Sequence, residues 1–223
     1  MTKTLTRLFD NYSDAEKAVL DLETMGVSHS DISIVANDTA GMHRDALGSR
    51  TAGDKAAIAS HETARAVGHA DDRGDVTRGA TTGALVGGAG GLLAGLGLLA
   101  IPGLGPIVAA GWLLSTAAGA GIGAAGGAAT GGIVGALKNS GHSEEEAQIY
   151  SEGVRRGSTL VSAKVPEAMA ESAVAMFNRY HAIDAATRGS AYRETGWSKF
   201  DDKAPAFSAD EIAAERLRNS NRL

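Results

Sequence analysis

Lys3–Phe9 reads as a short strand, apolar positions then take a helical spacing at Ala15, Ala18, Val19, Leu22 and Met25, and they alternate at Ile32, Ile34 and Ala36. Alternation is the period of a half-buried strand and the three-to-four spacing that of an amphipathic helix, so residues 3–36 predict strand, helix, strand. Ser13 and Glu16 have the spacing of a capping box, which puts the helix start at Asp14, and Gly26 supplies a left-handed stop. The same grammar returns after residue 139. Ser143 and Glu146 form a second capping box ahead of Ala147, Tyr150 and Val154 on one helix face, and Gly157 ends that helix. Ser158–Val165 then predicts a strand. Pro166 opens a helix running to about Tyr180, with Met169, Ala173, Met176 and Phe177 inward, and a short strand near Ala182–Asp184 closes the unit. Strand-helix-strand twice is the order of an α+β, split ferredoxin-like domain, with halves at residues 1–36 and 139–185. Neither half carries enough surface for a core of its own, so the two are expected to pair.

Between the halves the pattern changes. Glycine recurs at every fourth position at Gly79, Gly83, Gly87, Gly91 and Gly95, and again at Gly119, Gly123, Gly127, Gly131 and Gly135. On a helix that stride gives a side-chain-free ridge where a second backbone approaches closely. No charge occurs in the 59 residues between Arg78 and Lys138, which include 19 glycines. Each glycine in a water-exposed helix costs about 1 kcal/mol relative to alanine. In a bilayer the cost of unbonded backbone groups enforces helix and makes small residues the packing surface. Ala80–Ala100 and Ile107–Leu137 both reach the roughly 20 residues of a membrane span. Pro102, Gly103, Gly105 and Pro106 mark the turn between them, so residues 76–138 predict a long glycine-zipper helical hairpin. Leucine and isoleucine crowd its tip while its base is glycine and alanine. Two spans, a hairpin entering one leaflet and a sleeve of several hairpins all fit that gradient. Trp112, beside the turn, reads as an interfacial membrane anchor or as packing within a helical sleeve.

Residues 37–75 read as a polar linker, and 186–223 as a flexible tail in which Ser208 and Glu211 cap a short charged helix. Net charge is −5 and no basic patch points to nucleic acid. The absence of cysteine excludes disulfides, thiol catalysis and zinc-thiolate sites. The opening residues lack the apolar core of a signal peptide, so the termini are expected in the cytoplasm with the hairpin inserted as an internal segment.

Candidate chemistry is sparse. Gly121-Ile122-Gly123-Ala124-Ala125-Gly126 satisfies a dinucleotide fingerprint in form, but its flanks are helical and apolar and its setting is one-third glycine. His61 and His69, with Glu62, have a spacing that puts two imidazoles near one helix face, but solvated linker histidines are the better reading. Glu144, Glu145 and Glu146 suit a first helical turn better than paired-carboxylate catalysis. No catalytic residue, metal ligand or cofactor is assigned.

The stretches Leu8–Val19, Asp31–Ala36, Ile101–Pro106 with its glycine-rich setting, and Tyr150–Gly157 resemble the bacterial general-stress-protein family that also includes heat-induced and low-temperature-induced proteins. The resemblance covers about residues 3–185, and Gly196–Pro205 is similar to a tail of some members. It implies a stress-responsive, membrane-associated bacterial protein and supplies no reaction or catalytic residue. The expectation is a non-enzymatic protein of the bacterial inner membrane that embeds its hairpin among membrane lipid and self-associates as a homo-oligomeric scaffold. The alternative is a soluble, cytoplasmic, ligand-sensing oligomer whose small-molecule ligand the residues do not name.

Overall fold

The computed structural model describes residues 1–39, 97–101, 104–116 and 132–220. Strand β1 (Thr2–Phe9) leads into helix α1 (Tyr12–Thr24) and strand β2 (Ile32–Asn37). The next described elements are β3 (Gly97–Ile101) and β4 (Gly105–Gly111), then helices α2 (Gly132–Asn139) and α3 (Glu144–Arg155). Strand β5 (Thr159–Pro166), α4 (Ala170–Arg179), α5 (Ala185–Glu194) and α6 (Ala209–Ser220) complete the described chain. The strands form one antiparallel sheet in the order β1-β5-β2-β4-β3. The class is α+β.

The two halves do pair. β5 lies between β1 and β2, with Leu5 opposite Ala163 and Ile34 opposite Val161. The expected closing strand shrinks to a single bridge, in which Leu8 and Ile183 exchange backbone bonds of 2.9 and 2.8 Å. Helix α1 starts earlier than its capping-box spacing suggests. Asn11 is the extended residue before it and no side chain caps it, because Ser13 is already inside the first turn. The Ser143–Glu146 box forms in full, and Gly26 and Gly157 end their helices at φ +93° and +95°.

The helical hairpin is corrected at its centre. Residues 97–101 and 105–111, expected as the inner ends of two helices, are strands paired with each other, and β4 pairs with β2. The Pro102–Pro106 turn therefore joins strands. Ile107-Val108-Ala109-Ala110 is a continuous apolar run with β-branched residues, which suits a strand covered on both faces. Leu104, Ile107, Val108, Ala109, Ala110 and Leu113 are all buried within the protein. Residues 112–116 are helical. Gly111 locks the register: its φ is +88°, and a Cβ there would stand 2.1 Å from the Ile32 carbonyl oxygen. Among the described residues no helix is long and apolar enough to cross a membrane.

Helices cover both faces of the sheet. On one face α1 and α4 enclose Leu5, Phe9, Val19, Leu22, Ile32, Ile34, Val161, Met176 and Phe177. On the other, α2, α3 and α5 enclose Leu8, Val35, Ile107, Leu113, Ile133, Leu137, Tyr150, Leu160 and Tyr192. The tail, expected to be flexible with one short helix, instead carries α5 and α6, and Trp197 and Phe200 pack against this second core.

Candidate functional site

Of the glycine positions, Gly79, Gly83, Gly87, Gly91, Gly95, Gly119, Gly123, Gly127 and Gly131 lie outside the described residues, as do Pro102, Gly103, His61, His69 and the Gly121–Gly126 motif. Gly135 lies on α2. Ile133, Ala136 and Leu137 turn that helix onto the core, and a Cβ added at Gly135 would meet nothing within 4 Å among the described residues. Gly105 (φ +79°) begins β4, where a Cβ would come within 2.7 Å of the Ala206 Cβ. Pro106 accepts a 2.8 Å bond from the Asp38 amide. Trp112 is half-buried against the second core, with the Lys164 ammonium 4.3 Å from its ring centroid. That cation–π contact ties the indole to β5.

The pairing of β3 with β4 sets the geometry of the glycine runs. Gly97 at the start of β3 is opposite Ala109 near the end of β4. The chain therefore enters β3 and leaves β4 at the same end of the sheet.

A second constellation was not foreseen. At the C-terminal turn of α3, Glu152 is fully buried and accepts from Arg156 Nε (2.6 Å) and Arg155 Nη2 (2.9 Å). Arg156 also donates to Glu215 of α6 (3.2 Å), and its guanidinium stands 4.3 Å from the Tyr192 ring centroid. Burial opposes its charge, but the hydrogen bond and charge of Glu152, with Glu215 and Tyr192, outweigh that and hold its pKa above the ordinary value. Asp10 Oδ1, at the end of β1, accepts from Arg188 (2.6 Å), Ser158 (3.2 Å) and Asn219 (3.4 Å). Arg188 is only 3% exposed. Asp10 Oδ2, Glu152 Oε2 and Nε of Arg155 and Arg188 are buried and have no hydrogen-bond partner. Burial pushes the Tyr192 phenol well up.

Helix α6 closes this network with little apolar contact. Ile212, Glu215 and Asn219 form its buried stripe, and Ile212 alone of its hydrophobic side chains is buried. Ile212 rests on bare backbone at Gly157, where a Cβ would stand 2.3 Å from Ile212 Cγ2. Arg216 donates to the Gly157 carbonyl at 3.2 Å. Phe207 lies beside Arg155 and Arg156, at 5.1 and 5.6 Å from their guanidinium carbons.

Under α2 and α3 a third polar strip crosses the sheet. Thr6 Oγ1 bonds Ser162 Oγ (2.8 Å) and His142 Nε2 (2.7 Å), and Tyr150 donates to the Thr6 carbonyl (2.8 Å). Burial pushes Tyr150 up to about 12. Burial also pushes His142 down, against the pull of Glu146 and with that of Arg7.

Sequence reasoning missed both networks. Glu152 with Arg155 and Arg156 was the available signal, an acid three and four residues ahead of two bases on one helix, but that pattern is common on solvated helix faces. Among the described residues no group of three His, Asp or Glu stands close enough to hold a metal ion. The arrangement offers recognition and packing. No protein-family model, curated protein or solved structure matches the chain.

Proposed function

We propose that the chain is a non-enzymatic bacterial stress-response protein in which a compact frame presents two glycine-run arms for self-association at the inner membrane, as a scaffold or membrane stabiliser. The observation that carries this reading is the attachment of both arms at one end of the β3–β4 pair. In this reading the mirrored glycine runs form helical ridges that pack on each other or on those of further copies. The absence of charge from residue 79 to 137 suits a lipid environment for the arms, now without the apolar tip, whose side chains from Leu104 onward are used in the core. That a Cβ at Gly135 would meet nothing within 4 Å among the described residues adds support. The frame itself is read as a split ferredoxin-like unit extended by the hairpin. The order Ile183-β1-β5-β2, with α1 and α4 on one face, supports that reading.

The test is flotation of the full chain with phosphatidylethanolamine–phosphatidylglycerol vesicles, followed by chemical cross-linking, beside the Gly87→Leu/Gly127→Leu variant. The expected result is that the native chain floats and cross-links into oligomers, and that the variant yields smaller oligomers with unchanged circular dichroism. A native chain that neither floats nor cross-links would overturn the proposal and favour the soluble ligand-sensing alternative.

A further inference from the structure

We propose that the surface beneath α6 is a helix-receiving site whose occupant, the chain's own α6, exchanges with the α6 of a second copy. The receiving surface is complete without the helix. Arg156 is held by Glu152 from its own helix, and Asp10 is held by Arg188 and Ser158. The groups that meet α6 therefore belong to α3, α5, the Gly157–Ser158 turn and Asp10, which follows β1.

The seat is specific in shape and charge. The bare backbone of Gly157 admits the Ile212 side chain, Arg156 meets Glu215, and Asp10 meets Asn219. Any helix presenting an apolar residue, a carboxylate three positions on and an amide four beyond that satisfies all three. A second copy does so by identity. Its contacts would be the same as those made within one chain, so the linker and the protein concentration set the balance between the two.

The linker permits exchange. Residues 195–208 separate α5 from α6, and beyond Trp197 and Phe200, which pack on the second core, the eight residues 201–208 reach roughly 26 Å when extended. A helix held by one buried apolar side chain and a few polar bonds is also the kind of element that opens without global unfolding.

The experiment uses the full chain carrying Ile212→Ser and Glu215→Gln, which weakens its own α6, and a fluorescent peptide of residues 207–220 followed by anisotropy. The native peptide is expected to bind this chain at least about tenfold more tightly than it binds the unmodified chain, the 1.4 kcal/mol scale of one charged hydrogen bond. A peptide with the same two substitutions should bind neither. Equal binding of both peptides, or binding of neither, to a folded weakened chain would overturn the proposal. If the weakened chain does not fold, hydrogen exchange on the unmodified chain decides. Faster exchange of α6 amides than of α3 and β5 amides, increasing with salt, supports a separable helix. Equal protection of all three overturns it.

Discussion

The two faces of the sheet take alternate residues from the same strands, yet they are closed in different ways. Under α1 and α4 the buried core is apolar, with the Phe9 and Phe177 rings 6.0 Å apart, and the Tyr180–Asp21 hydrogen bond lies at its rim. Under α2, α3, α5 and α6 the apolar core is interrupted by Thr6, Ser162, His142 and Tyr150 and bordered by Asp10, Glu152, Arg156, Arg188 and Glu215. A dry face loses stability when volume is removed, and a polar one when a single partner is removed and its mate is left buried. The tail joins the polar side, where separate parts of the chain meet through directional bonds.

The largest effect that would break this contrast is on the dry face. Phe177→Ala should cost about 3–5 kcal/mol in urea unfolding with little dependence on salt. A cost near zero would mean that α4 contributes little to the core. On the other face Glu152→Gln should cost about 1.5–3 kcal/mol, because it removes the charged acceptor shared by Arg155 and Arg156. Its hydrogen-exchange footprint should centre on α3 and α6, leaving α1 and α4 protected. Uniform loss of protection would erase the distinction between the faces. Ser143→Ala should cost about 1 kcal/mol through loss of the α3 capping box.

The finest distinction is in pH. His142 has a folded-state pKa below its ordinary value near 6.5 because burial disfavours its charge. The neutral ring's contribution is therefore present above pH of about 6.5 and is lost as pH falls through the depressed value. Glu146, held low by the Ser143 amide, loses its contribution further into acid. Unfolding across pH should show the first loss in the native chain and not in His142→Gln. An identical profile in both would remove His142 as the cause.

Much of the dry face is legible from residue spacing. β1, α1, β2, β5 and α4 each carry an apolar period that matches the layer they bury. The β3–β4 pair is not, because a strand covered on both faces reads as an unbroken apolar run, and its glycines fit a helical stride equally well. Helix α6 shows the opposite difficulty. With Ile212 as its one buried apolar side chain, its place is fixed by Arg156, 59 residues earlier, and by Asp10, 209 residues earlier. No local pattern encodes partners that distant.

The claim that the apolar centre of the glycine-rich stretch belongs to the sheet is tested most directly by a disulfide between β2 and β4. The chain has no cysteine, so engineered pairs are unambiguous. Val35 and Ala109 are register partners, and paired strand positions fall within the Cα separation a disulfide tolerates. Oxidation of the full chain bearing Val35→Cys and Ala109→Cys should close the bond within one chain, while Val35→Cys with Val108→Cys, whose side chains lie on opposite faces, should not. Failure of the first pair, or equal closure of both, would contradict the strand assignment and return these residues to a helical hairpin.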